Sequence, residues 1–132
     1  MSLTVVKLER PSWWPEGEPW ASTGAEFSID ASLRGIERDR LVYQASGLIV
    51  AQGRLRAEGR SIFEDRGGVE LLLAHWHECR KHVRLVRVPK GEEWEPKQAS
   101  ELEDYLDELD LPARQELCAS VVEANRLGRK NV

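Results

Sequence analysis

The 132-residue chain contains little of what marks several common protein classes. It has only two cysteines, which does not fit the disulfide-dense scaffold of small secreted domains. No apolar run approaches the roughly 18 residues of a membrane span, and residues 1–11 lack the long apolar core of a signal peptide. We therefore expect a cytoplasmic protein with free thiols and no membrane association.

The charge balance and the motif content argue against two further classes. The formal net charge of −4 lacks the basic excess that is typical of nucleic-acid binding, so we do not expect that activity. The chain also lacks a Walker-type phosphate loop, a dinucleotide-binding fingerprint and a nucleophile elbow. We predict a single domain over residues 1–132 that is not an enzyme and uses no cofactor.

The most strongly patterned stretch is residues 69–88, which predicts one long amphipathic helix. Its apolar residues follow alternating steps of three and four and form one stripe: Val69, Leu72, Trp76, Cys79, Val83 and Val86. The opposite side carries charged residues, among them Arg80, Arg84 and Arg87. Two interpretations of these cations remain open. They form a face for an acidic partner, or they pair with the acidic segment 101–110 of the same chain.

The remaining pattern predicts a mainly α (α+β) fold, in which three to four amphipathic helices pack together with a small N-terminal β element. Residues 26–30 alternate apolar and polar side chains as in a half-buried strand. Residues 3–8 form a second β-type run, and we expect the two segments to pair.

Helices account for most of the other predicted elements. A helix is favoured over residues 36–57, begun near Leu33 by a cap from Asp30 or Ser32. Gly47 and Gly53 weaken this helix, so residues 47–58 are also compatible with a strand.

The C-terminal third predicts two more helices separated by a tight junction. Ser100 and Glu103 have the spacing of a capping box, so a helix is expected to begin at Ser100 after a charged loop. The last helix is predicted over residues 113–127.

Residues 9–24 are expected to form an extended arm, because three prolines between positions 11 and 19 exclude a helix interior or a central strand. The same segment contains Trp13, Trp14 and Trp20. One interpretation is that these rings fold back over the core. The other is that they dock another protein, since tryptophan is enriched at binding hot spots.

The histidine-rich part of the central stretch raises the question of metal binding. On a helix, His75, Cys79 and His82 project from one face, and imidazole and thiolate are good zinc ligands. Two helical turns nevertheless separate the outer residues by roughly 10 Å, which strains a single site for all three. We therefore predict that Cys79 and Cys118 are buried structural thiols and that no metal binds. One alternative is a metal-dependent enzyme that uses His75, Cys79 and His82.

Short segments between residues 25 and 127 carry a family resemblance. They are Glu37, Arg38 and Asp39 at a helix start, Leu111 and Pro112 at a junction, and Glu123, Ala124 and Asn125 in the last helix. This pattern resembles the small tail-assembly chaperones of long-tailed bacteriophages. Such chaperones coat the tape-measure protein and are thought to hand over tail-tube subunits during assembly.

The resemblance implies a non-enzymatic protein that binds other tail proteins in the cytoplasm of the host cell. The residues that we expect to bind the partner are Trp13, Trp14, Trp20, Arg80, Arg84 and Arg87. The first alternative to this function is a small mobile-element inhibitor that blocks a host defence complex, with the acidic segment 101–110 acting as a nucleic-acid mimic.

Overall fold

The computed structural model describes residues 3–8, 25–90 and 93–130. Within these ranges the elements are β1 (Leu3–Lys7), β2 (Glu26–Asp30), α1 (Gly35–Ala57), α2 (Arg66–Cys79), β3 (Val83–Lys90), β4 (Glu93–Lys97), α3 (Ala99–Asp107) and α4 (Leu111–Lys130). Short 3₁₀ turns precede α2 at Ile62–Glu64 and follow it at Arg80–His82. The predicted mainly helical α+β class with a small N-terminal β element is confirmed.

The four strands form one antiparallel sheet in the order β1-β2-β3-β4. The predicted pairing of the two N-terminal segments is confirmed, with Val6 opposite Phe27. The charged stretch after Pro89 was expected to be a loop. Instead, the chain continues β3 to Lys90 and returns as β4 from Glu93. The sheet is therefore twice as wide as the N-terminal β element alone.

The prediction of a single helix over residues 69–88 is wrong beyond Cys79, where α2 ends. Val83 and Val86 lie in β3 and are both buried, although side chains three residues apart normally point to opposite faces of a strand. A β-bulge explains this, since Val83 pairs with Ile29 while Leu85 pairs with Ser28, which leaves an extra residue between them. The bulge produces a buried spacing of three that imitates the period of a helix.

The two predicted caps are also wrong, whereas the helical interpretation of residues 47–57 is correct. The Asp30 carboxylate accepts hydrogen bonds from the Ser32 amide at 3.1 Å and the Ser32 hydroxyl at 2.8 Å, and so it closes a turn before α1 begins. At α3 the chain leaves β4 and turns at Gln98, so the helix begins one residue before Ser100.

The main core lies between the sheet and helices α2, α3 and α4. Its fully buried large side chains include Phe27, Ile29, Leu106, Leu117 and Val121. A smaller cluster joins α1 to α2 and consists of Leu48, Leu55, Ile62 and Leu72. Helix α4 is longer than the predicted 113–127 and continues through Gly128. Among the described residues, no helix is both long and apolar enough to cross a membrane.

Candidate functional site

The predicted partner-binding residues fall in different parts of the molecule. Trp13, Trp14 and Trp20, with the whole arm 9–24, lie outside the described residues. The three arginines were expected on one helix, but Arg80 lies in the 3₁₀ turn, whereas Arg84 and Arg87 lie in β3. They do not form a single helical face.

Arg80 pairs with the acidic segment of its own chain, as one of the two interpretations expected. Its guanidinium donates to the Asp107 carboxylate and, over 3.3 Å, to the main-chain carbonyl of Glu103. The hydrogen bond from Arg80 holds the pKa of Asp107 below its usual value. The guanidinium also lies 5.9 Å from the centre of the Trp76 ring, within the range of a cation–π contact. Arg80 therefore links α3 to the end of α2.

Arg84 and Arg87 face acids of β2 rather than α3. Arg84 lies 3.5 Å from a carboxylate oxygen of Asp30, and Arg87 lies 3.7 Å from one of Glu26. Burial opposes ionisation of Asp30, but hydrogen bonds from Ser32 and the contact with Arg84 keep the pKa of Asp30 below its usual value. Both arginine side chains remain about half exposed, at 43% and 52%. Each is thus paired within the chain and still accessible.

An exposed apolar stripe on α1 was not predicted. Ile36, Tyr43 and Val50 are spaced by seven residues and are 77%, 81% and 71% exposed. Seven residues make almost two full helical turns, so the three side chains lie nearly in line along the helix. We call these three residues the α1 stripe.

The opposite side of α1 repeats the same spacing in the core. Leu41, Leu48 and Leu55 are also seven residues apart and are all buried. Helix α1 therefore presents one apolar row to the protein and a second, the α1 stripe, to solvent. Single exposed apolar residues need no explanation, whereas an aligned set on a surface helix is typical of a binding site. The signal in the sequence is the second apolar row with a period of seven.

A second finding is a buried cluster of His75, Cys79 and Cys118. His75 and Cys79 are one turn apart on α2, and α4 supplies Cys118. One ligand atom of each residue lies within 4.8 Å of the others, and all three residues are buried. The trio considered as an alternative from the sequence is not assembled, since Cys118 stands beside His75 and Cys79 and His82 lies in the 3₁₀ turn after α2.

The geometry around His75 is defined by neighbours on two helices. Its Nδ1 lies 2.9 Å from Oε1 of Gln44 on α1, and Sγ of Cys79 lies 3.6 Å from Nε2 and 3.7 Å from Nδ1. His82 is buried in the 3₁₀ turn, where its Nδ1 has no hydrogen-bond partner, and His77 is exposed. The three histidines therefore have three different environments.

The two cysteines are free, as predicted, and they differ in acidity. The pKa of Cys79 is lowered to about 6, and the largest cause is a hydrogen bond from Cys118. Burial raises this pKa, whereas the contact with His75 lowers it further. Burial and the same contact raise the pKa of Cys118. Negative charge on this pair is therefore favoured at Cys79.

A cavity of about 210 Å³ adjoins the cluster between α1 and α4. His75 and Cys118 line it together with Leu48, Gln52 and Gln115. Oε1 of Gln115 is buried and has no hydrogen-bond partner. The cluster thus has a small open space beside it and is not sealed on every side.

Sequence reasoning missed Cys118 as a member of the cluster because the residue is 39 positions from Cys79. The available signal was that both cysteines fall on apolar helical faces, which meet when two helices pack in one core. Comparison of the chain with protein-family models, with curated proteins and with solved structures finds no match.

Proposed function

We propose that this chain is a non-enzymatic binding protein that acts in bacteriophage tail assembly by binding other tail proteins. The observation that carries the binding role is the α1 stripe of Ile36, Tyr43 and Val50. Tyrosine is enriched at the hot spots of protein interfaces, and helices that dock in a groove present apolar anchors at regular helical spacing. The phage context rests on the resemblance in residues 25–127.

The spacing of the α1 stripe favours a helical segment as the partner element. Apolar residues with a period of seven along one helix pack against the matching row of a second helix. Arg40 and Arg54 are exposed on the same side of α1, close to the line of the stripe. Asp39 is also on this side, but it pairs with Arg38 at 3.5 Å. We therefore expect a partner helix with an apolar row flanked by acidic residues, which Arg40 and Arg54 would complement.

The tryptophan arm has a second role in the proposal. Trp13, Trp14 and Trp20 are expected to add anchors outside α1, and Arg84 and Arg87 to add electrostatic complementarity. Binding that weakens only when the arm is changed would assign the interface to the arm alone, and the α1 stripe would then have no part in it.

The experiment compares two double variants of α1 that differ only in which face they change. The chain is co-expressed with the tail-tube and tape-measure proteins of the same phage genome, and complexes are isolated and their dissociation constants measured. Tyr43→Gln with Val50→Gln removes two residues of the stripe, whereas Ile49→Gln with Arg56→Gln introduces the same side chains at two exposed positions with the same spacing, about a third of a turn away around the helix.

We expect the stripe variant to bind at least about tenfold more weakly, because truncating a hot-spot residue typically costs about 2 kcal/mol or more. The control variant should bind like the original protein. Equal affinities of the two variants would refute a role of the stripe. If the chain forms a complex with neither the tail-tube protein nor the tape-measure protein, the assembly function is refuted. A triple change of Trp13, Trp14 and Trp20 to alanine that leaves every complex intact would remove the arm from the interface.

A further inference from the structure

We propose that His75, Cys79 and Cys118 bind a zinc ion at the junction of α2 and α4. The proposal goes beyond the binding function and does not depend on it. It rests on the donor atoms, which lie within 4.8 Å of one another in the interior. Two thiolates and one imidazole are a donor set that zinc prefers, and zinc sites with three protein ligands keep a fourth position open.

The donor atoms of His75 and Cys79 are close enough together to share one tetrahedral ion. With zinc–sulfur bonds of about 2.3 Å and zinc–nitrogen bonds of about 2.0–2.1 Å, tetrahedral geometry separates the sulfur and nitrogen atoms by about 3.5–3.6 Å. The Sγ of Cys79 lies 3.6 Å from Nε2 of His75 and 3.7 Å from Nδ1, so it is nearly equidistant from the two ring nitrogens. The separation from Nε2 suits a shared ion, and binding would require the Cys79 side chain to move so that its sulfur lies beside the Nε2 lone pair.

Gln44 holds the imidazole in the tautomer that such a site needs. When Nδ1 of His75 donates its hydrogen to Oε1 of Gln44, over 2.9 Å, Nε2 carries no hydrogen and its lone pair is free to bind a metal. A metal-binding histidine almost always donates its other N–H to an oxygen in this way. Gln44 is thus the positioning residue of the proposed site, and it belongs to the helix that carries the α1 stripe.

The charge balance suits a buried location. The three residues are at most 2% exposed, where an isolated charge is costly. One divalent zinc ion with two thiolates and a neutral imidazole has no net charge, so the assembled site avoids that cost. His75 and Cys118 also line the cavity beside the cluster, and the unpartnered Oε1 of Gln115 in the same cavity wall offers a hydrogen-bond acceptor to a water molecule there.

The experiment measures metal content and metal affinity of the full chain. The protein is purified under reducing conditions without chelators, and its zinc is determined by elemental analysis. Metal-free protein is then titrated with Zn²⁺ and with Co²⁺. We expect about one zinc ion per chain, a higher melting temperature with zinc, and a cobalt spectrum with the sulfur-to-cobalt charge transfer of two thiolates.

Variants assign the ligands. Cys118→Ser should abolish stoichiometric binding, whereas His82→Asn and His77→Asn should leave it unchanged. Gln44→Ala should weaken zinc binding by about 10–100-fold, as is typical for residues that orient a ligand, while Gln52→Ala in the same cavity wall should not. The comparison of Gln44→Ala with Gln52→Ala and the cobalt spectrum of the unchanged protein test the site even if Cys118→Ser does not fold.

Three results would overturn the proposal. The first is a folded, fully reduced protein that takes up no zinc in the titration. The second is binding that persists unchanged in Cys118→Ser, which would place the metal elsewhere. The third is a disulfide between Cys79 and Cys118 in protein isolated from reducing cells, because the oxidised pair supplies no thiolate.

Discussion

The side-chain amide of Asn125 donates to the main-chain carbonyl of Asp30 over 2.9 Å, although 95 residues separate them. The same amide nitrogen also donates to the Val121 carbonyl at 2.8 Å, and Oδ1 of Asn125 accepts from the Leu33 amide at 2.9 Å. One buried side chain therefore fixes the connection between β2 and α1 to helix α4.

Replacing Asn125 by alanine should destabilise the protein by about 2–4 kcal/mol. The substitution leaves the Leu33 amide without its partner and the Asp30 carbonyl without its donor, and each buried polar group left in this way costs about 1–3 kcal/mol. Urea unfolding measures the change. Glu123→Ala, at an exposed position on the same helix, is the control and should shift stability by no more than about 0.5 kcal/mol. Similar values for the two variants would show that the Asn125 contacts contribute little.

Leu72→Ala should cost about 2–5 kcal/mol, because it opens a cavity in the cluster that joins α1 to α2. Leu72 is completely buried, whereas the preceding Leu71 is 47% exposed. Leu71→Ala removes the same atoms from the same helix and should cost less than about 1 kcal/mol. Chemical denaturation of both variants checks the difference, and an equal loss would mean that α2 is rotated relative to this structure.

Gly68→Ala should destabilise the protein by about 1–3 kcal/mol through overpacking. A methyl group at Gly68 would lie 2.6 Å from Cγ1 of Ile62 and 3.0 Å from its carbonyl oxygen. At Gly67 the closest contact, with Asp65, is an ordinary 3.5 Å. Gly67→Ala should therefore be neutral or stabilise the helix by up to about 1 kcal/mol. Melting temperatures that fall equally in both variants would contradict the close approach of Ile62.

Stability should fall as the pH decreases below about 6.5, in part because of His82. Burial is the main cause that lowers the pKa of His82 in the folded protein from its ordinary 6.5, and the positive charge of Arg84 lowers it further. The nearby acids raise this pKa without reversing the net shift: Glu37, Asp30 and Glu78. The unfolded chain consequently binds a proton at this histidine before the folded protein does, so acidification favours unfolding. At higher pH both states are neutral and the effect disappears.

The measurement is the free energy of unfolding of the unchanged protein and of His82→Gln between pH 7.5 and 5. The loss of stability on acidification should be smaller in His82→Gln, since glutamine does not titrate. His77→Gln, at an exposed histidine, should follow the unchanged protein. Parallel curves for the His82 variant and the unchanged protein would refute the assignment.

The sequence predicts well those residues whose burial follows from a local period. The stripe of residues 69–88 identifies six core residues, of which Val69 is half-buried and the other five are buried: Leu72, Trp76, Cys79, Val83 and Val86. It identifies the wrong secondary structure for the last two, because the bulge in β3 gives a strand the same spacing as a helix. The choice between the two depended on pairing with β2, which lies more than 50 residues earlier in the chain.

Amino-acid order by itself determined the helical character of the chain and the burial of both cysteines, because these properties depend on periodicity over one or two turns. Tertiary structure decided which distant groups meet. It placed Cys118 beside His75 and Cys79, separated the three arginines, and left one of the two apolar rows of α1 without a partner in the described part of the chain. The physical reason is that packing brings residues together by shape and topology, which a local period does not encode.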